Sequence, residues 1–479
     1  MIISQVRVRI YIFLLFISIM LGITAVWMGE NLSITFFAMI VSLIPPLLYM
    51  VIAASKNKGY IFLTNPLLLY SAFFFVFFGL GGLLYAGAFE SYSDIGGKAT
   101  ILGVVGYLCG YLFSKLLLDK YKKRKVQHKE IYKTQIPQSL QFEKLLFIIG
   151  FVGYCLYIIQ IGQIPLLMNN LEQARVDASL KGGAILNILS YFLIFSSTIG
   201  FLNYMIIKVK KLNIKHHSII RYLLAIAFLL SLGNRAPVFS LLFSSLLIFI
   251  FVKYKGKIKL PRLLLIGVLS GLGVFIFVGG FGAYRVINTT SFHSYPEFSN
   301  YLDSNNYLGL MYYVFTHYLT VGFENFMRVL VVVPDILNFR FGTSYFDSLL
   351  TILPGTQYTL DMQIKMALNQ TYLGGGTVPS VLGEAFANFG VLGWFIVPFI
   401  SMFLLKLLYN AYQGSSNNLF NIVIYIYLLN HFSNSLLSGL AASSILPFVT
   451  IFIYLTYGYF ISKRKGVKYG KVISNDIST

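Results

Sequence analysis

Long apolar runs recur along the whole chain, and they constrain its fold more than any other feature. Hydrophobic residues make up 57% of the 479 positions and charged residues 11%, whereas an ordinary soluble domain has about a quarter of its residues charged. Runs of roughly 15 to 22 apolar residues, long enough to cross a bilayer straight or tilted, lie near 9–28, 33–54, 67–88, 99–118, 145–161, 184–207, 219–232, 238–252, 263–282, 390–409, 418–437 and 441–460. The sequence predicts an all-α, polytopic integral membrane protein with about twelve transmembrane helices.

The distribution of charge predicts how these spans are oriented. The first run follows Arg7 and Arg9 and lacks a cleavage site, so we interpret it as a retained span. With the N-terminus inside, the even-numbered connections, the flanking residues and both termini hold 29 of the 37 Lys and Arg but 4 of the 16 Asp and Glu. This is the positive-inside asymmetry. The net charge of +21 therefore indicates topology and attraction to anionic lipid, with both termini cytoplasmic, and no nucleic-acid partner is expected.

Cations on the unfavoured outer side have a local reason, either a structural ion pair or an anionic ligand. There are eight of them: Lys98, Arg175, Lys181, Arg235, Arg285, Arg328, Arg340 and Lys365. Arg175, Arg235 and Arg285 adjoin outer ends of spans, where a guanidinium can present two parallel donors to phosphate oxygens. For each one, snorkelling or a pair with Glu172 or Asp177 explains the position equally well. For the three together we favour anion binding.

One connection, 283–378, is far longer than the others and is predicted to be a large outer, periplasmic or extracellular, loop within a single multi-pass membrane domain, 1–479. Its apolar segment 308–333 predicts an interfacial or re-entrant helix, because an additional span would place the basic C-terminal tail outside. His293 and His317 could act as bases and the tyrosines could stack on sugars, although an aromatic belt at the membrane surface explains them better. Glu324 and Arg328, at i and i+4, can pair with each other.

The stretch GGGTVPSVLGEAFANFGVLGWF, 374–395, carries the most suggestive carboxylate. Pro379 suits a first helical position, after which Ser380, Glu384 and Asn388 recur every four residues along one stripe of an otherwise apolar helix. A partly desolvated glutamate can act as an acid or base near neutral pH. The alternative is an ion pair between Glu384 and an outer arginine, but ionisable groups within a membrane are costly and tend to be functional.

The order of these parts resembles the O-antigen polymerase (Wzy-type), or oligosaccharide repeat unit polymerase, family. The resemblance covers roughly 140–440 and rests on short motifs: Arg175 before Gly182 and Gly183, the G-x-R turn at 233–235, FRFGTSYFDSLLTILPG at 339–355, and P-S-x-L-G-E-x-x-x-N-x-G at 379–390. The histidine that related ligases use as a base has no clearly matching position.

The resemblance implies a glycosyltransferase that joins polyprenyl-diphosphate-linked oligosaccharide repeat units into a surface polysaccharide, such as O-antigen, capsule or exopolysaccharide. The reaction would take place at the outer face of the bacterial cytoplasmic membrane. Glu384 would be the catalytic base, and Arg175, Arg235 and Arg285 would bind the diphosphate. The residues expected to contact the acceptor or sugar are Ser380, Asn388, His317 and Tyr284. Lipid-linked donor and acceptor, membrane lipid, a chain-length regulator and a flippase are the expected partners, with no cofactor and no metal.

Two alternatives remain at the level of sequence. A flippase for the same lipid-linked units would also need arginines, although its halves should be related, and the two halves of this chain show no visible repeat. An O-antigen-type ligase would use the same diphosphate clamp with a different acceptor, and His293 and His317 keep that alternative open.

Overall fold

The computed structural model describes residues 31–57, 59–86, 93–119, 132–167, 184–214, 217–232, 235–288, 296–350, 358–370, 376–414, 418–440 and 446–463. Within these ranges the chain is mainly helical, with one two-stranded sheet, and it divides into two compact units. The first unit comprises Met1–Arg124, Lys257–Asn410 and Leu429–Ile445. The second comprises Lys125–Gly256, Ala411–Leu428 and Leu446–Thr479.

The elements follow in chain order. The first are α1 (Asn31–Lys56), β1 (Tyr60–Phe62), α2 (Pro66–Phe74), α3 (Gly81–Ala86), α4 (Ser93–Asp119), α5 (Tyr132–Ile161), α6 (Ala184–Ser190), α7 (Phe192–Lys210), α8 (Ser218–Ser231) and α9 (Arg235–Tyr254). The remainder are β2 (Lys257–Lys259), α10 (Leu260–Val274), α11 (Phe281–Asn288), α12 (Pro296–Asp303), α13 (Tyr307–Val332), α14 (Ser344–Leu350), α15 (Leu360–Ala367), α16 (Ser380–Phe389), α17 (Gly393–Gly414), α18 (Leu419–Ser438) and α19 (Leu446–Lys463). Short π-helical or 3₁₀ turns lie at Phe75–Leu80, Pro165–Leu167, Phe275–Gly280 and Gly390–Leu392.

The described part of the chain contains eight helices that are long and apolar enough to cross a membrane, as an all-α membrane protein requires. They are Ile34–Ser55, Pro66–Tyr85, Asp94–Leu117, Gln135–Ile161, Ile185–Lys210, Ala236–Tyr254, Leu260–Asn288 and Ser380–Ala411. Two further predicted runs form the shorter apolar helices Ser218–Ser231 and Pro447–Ile461. The run at 418–437 forms α18, which is not among the eight, and the run at 9–28 lies outside the described residues.

Helix α13 organises the first unit. It packs against α3, α16 and the turn at Phe275–Gly280, and it buries Phe323, Phe326 and Val329. Gly383 of α16 lies directly on Phe326 and Val329, so the absence of a side chain there brings the two backbones together. The apolar segment 308–333 thus forms one continuous helix that ends at Val332, and its depth in a bilayer stays a prediction.

Glycines also set the packing of α4 on α17. A Cβ at Gly106 would collide with the carbonyl oxygen of Phe395, and one at Gly110 would collide with that of Phe399. Small residues four positions apart commonly bring membrane helices into close contact. The backbones of α4 and α17 are therefore in close contact at these two glycines.

The second unit contains a buried polar cluster among α5, α7, α8 and α19. Arg221 donates to both carboxylate oxygens of Glu143, at 2.6 Å from Nε to Oε1 on one side. The hydroxyl of Ser139 lies 2.8 Å from Asn203 Oδ1 and 2.8 Å from the Tyr457 hydroxyl. Glu143 is fully buried, and a buried charge is costly unless it is paired. Arg221 supplies the compensating charge within the unit.

Candidate active site

Helix α16 presents the polar stripe that the sequence predicts. Ser380, Glu384 and Asn388 all lie in this helix and all are fully buried. Ser380 begins the helix with a φ of 59°, a left-handed conformation that is costly for a residue with a side chain. Because all three side chains are fully buried, the stripe faces the interior of the first unit.

The carboxylate of Glu384 is held by a sharp corner that follows α18. The backbone N–H of Leu440 donates to Glu384 Oε2, and the preceding residue, Gly439, has a φ of 83°. A Cβ on Gly439 would lie 2.7 Å from the same carboxylate oxygen. Glycine suits this position for two reasons: it adopts a positive φ without strain, and it has no Cβ to collide with the carboxylate. We call these two residues the 439–440 corner.

Asn388 joins α16 to the segment 340–344, which we call the 340–344 strap. Its Oδ1 accepts from the N–H of Gly342 at 2.8 Å, and its Nδ2 donates to the Ser344 hydroxyl at 2.6 Å and to the carbonyl of Glu384 at 2.8 Å. Backbone N–H groups of residues 340 and 341 donate to the carbonyls of residues 387 and 388. Two of the motifs that carry the family resemblance are thus in direct contact.

Directly after the 340–344 strap, the half-buried Tyr345 lies near Glu384. Burial raises the pKa of Tyr345 well above its ordinary value, and the negative charge of Glu384 raises that pKa further. Nearby, Arg340 Nη2 donates to both oxygens of Asp347, at 2.9 and 3.1 Å. Arg340, one of the eight outer cations, therefore has a structural ion pair.

A second buried carboxylate, Asp361, fixes the chain that enters α16. The hydroxyl of Thr359 donates to its Oδ1, and the backbone N–H of Thr377 donates to its carbonyl at 2.9 Å. A Cβ on Gly376 would collide with Asp361 Oδ2. Burial raises the pKa of the Asp361 carboxyl, and the nearby charge of Asp347 acts in the same direction.

The three arginines predicted to bind diphosphate are described to different extents. Arg175 lies outside the described residues. Arg235 is the first residue of α9 in the second unit, and Arg285 is a half-buried residue of α11 in the first unit. Their common role in binding an anion stays a prediction.

The predicted sugar contacts outside α16 lie on α11 and α13. Tyr284 is exposed, and the side chain of His317 is 53% exposed with Nδ1 3.7 Å from Glu324 Oε2. Arg328 Nη2 lies 2.5 Å from the other oxygen of Glu324, which confirms the predicted pair between these two residues. His293 lies outside the described residues.

Sequence reasoning missed the 439–440 corner. It also missed His431, which lies on α18, the helix that precedes the corner. The signal available was a glycine directly after an apolar helix, which predicts a left-handed cap, but nothing in the sequence indicates that this cap faces position 384. Among the described residues, no three His, Cys, Asp or Glu side chains cluster as metal ligands would.

Comparison of the chain with protein-family models, with curated proteins and with solved structures found no match. The function must therefore be argued from the chemistry of the residues around Glu384.

Proposed function

We propose that this protein is a polymerase that joins polyprenyl-diphosphate-linked oligosaccharide repeat units at the outer face of a bacterial cytoplasmic membrane. The observation that carries the proposal is the environment of Glu384. Its carboxylate is fully buried, it accepts a backbone hydrogen bond, and it lies where the two motifs resembling the polymerase family meet. An oriented carboxylate in a desolvated setting is suited to general-base catalysis.

In the proposed reaction, the terminal sugar hydroxyl of one lipid-linked unit attacks the anomeric carbon of another. The bond between that carbon and the diphosphate oxygen breaks, and polyprenyl diphosphate leaves with the bonding electrons. Glu384 takes the proton of the attacking hydroxyl, which strengthens the nucleophile as the new glycosidic bond forms. Arg175, Arg235 and Arg285 neutralise the charge that develops on the diphosphate.

The proposal includes a topology of about twelve spans with both termini in the cytoplasm and 283–378 on the outer side. In that topology the 340–344 strap and α15 belong to the large outer loop. Reporter fusions at residues 130, 215 and 470 should give a cytoplasmic signal, and fusions at 175 and 300 an outer one. An outer signal at 470 would mean that α13 is a full span and that the topology is wrong.

One observation favours an O-antigen-type ligase as a second candidate. His317 is half-exposed on α13 and faces the carboxylate of Glu324. An imidazole oriented by a carboxylate can take a proton from an acceptor hydroxyl. In a ligase the acceptor would be a different glycan, and His317 rather than Glu384 would be the base.

The test is reconstitution of the full-length protein in vesicles with purified lipid-linked repeat units, read as a ladder of glycan lengths. The wild type should form a ladder, and Glu384→Gln should form it about 10²- to 10⁴-fold more slowly at equal protein amount. His317→Gln, which removes the base of the ligase alternative, should slow ladder formation much less than Glu384→Gln, because His317 is expected only to contact the sugar. Loss of product in His317→Gln but not in Glu384→Gln would favour the ligase. Transbilayer movement of the lipid without any new glycosidic bond would favour a flippase.

The arginine clamp has its own variant in the same assay. Arg235→Lys keeps the charge but loses the planar pair of donors, so ladder formation should fall sharply if the diphosphate is bound by two parallel hydrogen bonds. Full activity in both Arg235→Lys and Arg235→Ala would remove this residue from the clamp.

A further inference from the structure

We infer that the 340–344 strap docks on the lipid bilayer through an exposed apolar surface, which we call the apolar patch. The patch consists of Phe341, Phe389, Val391 and Leu392. Its occupant is the acyl-chain region of the membrane lipids. The inference goes beyond the proposed function, because it concerns how the first unit contacts the membrane whichever reaction Glu384 carries out.

The patch is exposed and continuous, although its residues come from two separate segments. All four side chains are exposed, that of Phe341 by 81% and that of Leu392 by 70%. The backbone N–H of Phe341 donates at 3.2 Å to the carbonyl of Asn388, the residue directly before Phe389. A Cβ built on Gly342 would lie 3.5 Å from Cζ of Phe389. The strap thus places its phenylalanine beside the end of α16.

The backbone of the strap holds this phenylalanine in an unfavourable conformation. Phe341 has a φ of 47°, and Gly342 has one of 90°. The left-handed region is costly for a residue with a side chain and persists where the surroundings impose it. An aromatic ring that stays in water gives no compensation for this cost, whereas a ring that leaves water for the acyl chains does so through the hydrophobic effect.

The sequence that follows the patch indicates what covers it. Exposed side chains recur every four residues and form one row along α17 and the turn before it: Leu392, Ile396, Ile400 and Leu404. The stretch 385–405 carries no charged residue, and about 20 residues cross the hydrocarbon core. Within the candidate span Ser380–Ala411 this row therefore faces lipid. Because Leu392 belongs to both the row and the patch, the patch continues the lipid-facing surface onto the strap.

The strap also meets the main requirement for an irregular segment in contact with lipid, which is that its polar groups bond within the protein. The N–H groups of residues 340 and 341 donate to carbonyls of α16. The N–H of Gly342 donates to the side chain of Asn388, and that of Thr343 donates to the carbonyl of Arg340. The charge of Arg340 is compensated by the buried Asp347. Because these bonds join the strap to α16, docking of the strap also sets the depth of α16 in the membrane.

The experiment measures the depth of position 341 with a nitroxide label on the full-length protein in vesicles of phosphatidylethanolamine with a minority of phosphatidylglycerol. Collisions of the label with oxygen, which concentrates among acyl chains, are compared with collisions with a water-soluble nickel chelate. The protein first loses its two cysteines, through Cys109→Ala and Cys155→Ala, and then carries Phe341→Cys.

Two matched variants in the same cysteine-free protein calibrate the measurement. Ile400→Cys lies in the exposed row of α17 and gives the value for lipid. Ser304→Cys is exposed within the polar sequence SNYLDSNN, 299–306, and gives the value for water. If Phe341→Cys does not accumulate, Phe341→Trp replaces it. Its fluorescence is then quenched by lipids with brominated acyl chains and compared with the wild-type signal of Trp27 and Trp394.

We expect oxygen collisions to exceed nickel collisions at position 341, as at position 400, with nickel collisions severalfold rarer than at position 304. Nickel collisions as frequent as at position 304 would mean that water covers the patch. Rare collisions with both reagents would mean that protein covers it, either a second copy of the chain or another segment of the same chain. Either result would overturn the inference. The vesicles contain no lipid-linked sugar, so the outcome is independent of the polymerase proposal.

Discussion

The two units each contain a fully buried glutamate, and the two glutamates are held in different ways. In the second unit Arg221 binds both carboxylate oxygens of Glu143, with the Ser218 hydroxyl 3.5 Å from Oε2. In the first unit Glu384 accepts from the backbone N–H of Leu440 at a glycine corner.

The difference teaches what each arrangement can do. The charge of Glu143 is matched by a guanidinium, and removal of either partner would leave the other charge uncompensated. One carboxylate oxygen of Glu384 accepts from a backbone N–H, which favours the ionised form of the carboxylate. Burial alone therefore does not identify a catalytic carboxylate, whereas the chemistry of its partner helps to do so.

The largest expected effect is on stability, from Glu143→Gln. Removing one member of the buried pair leaves Arg221 uncompensated, at a cost of about 3–5 kcal/mol. Thermal unfolding of the purified protein should show a strongly lowered midpoint. The double variant Glu143→Gln with Arg221→Gln should recover most of the loss, and a single variant as stable as the wild type would remove the structural role of the pair.

Gly439→Ala should have the next largest effect. The left-handed backbone costs a residue with a Cβ about 1–2 kcal/mol, and the added methyl group also meets the carboxylate of Glu384. The matched control is Gly162→Ala, because Gly162 has nearly the same φ, 81°, with no atom within 4 Å of a built Cβ. The extra loss of stability at position 439 measures the contact with Glu384, and equal losses at both positions would mean that this contact does not matter.

Glu384→Gln should destabilise the protein much less than Glu143→Gln. The amide oxygen of glutamine can still accept from Leu440, so about 1 kcal/mol should be lost as a charge-assisted bond becomes a neutral one. The same unfolding measurement decides the matter. A loss as large as that of Glu143→Gln would show that Glu384 has a buried cation as its partner, as in the alternative drawn from the sequence.

The smallest effect should come from Asp361→Asn, and it should depend on pH. Because the pKa of Asp361 is raised in the folded protein, the fold favours the protonated carboxyl. That stabilising contribution is complete below the ordinary pKa of aspartate, about 3.9, and is lost as the pH rises through the raised folded value. Asp361→Asn should therefore raise the unfolding midpoint at pH 7 but not at pH 4. An equal midpoint shift at both pH values would contradict this reasoning.

The sequence predicted helices and faces well because these depend on local periodicity. The runs at 33–54 and 238–252 appear as the helices Ile34–Ser55 and Ala236–Tyr254, and the stripe of Ser380, Glu384 and Asn388 is buried as its spacing suggests. Span limits were less accurate where polar residues precede an apolar run, as at 145–161, which forms the end of the longer helix Gln135–Ile161.

The contacts that build the site could not be predicted from the sequence. Glu143 and Arg221 are separated by 78 positions, and Glu384 and Leu440 by 56. No periodicity within one helix connects such pairs, because they meet only through the packing of whole helices. Sequence reasoning also could not tell whether a given glutamate would bind an arginine or a backbone N–H. Every residue except proline carries a backbone N–H, so the sequence does not mark which one will donate.

The bond between Asn388 and Gly342 has a consequence for evolution. Asn388 binds Gly342 through a main-chain N–H and Ser344 through a hydroxyl, 46 and 44 positions away. Any lineage that replaces the asparagine must rebuild both bonds at once, so change at these positions should be correlated. Distant relatives should thus be recognisable by a co-inherited asparagine and glycine at the ends of two different motifs, even when the apolar spans between them have lost all resemblance.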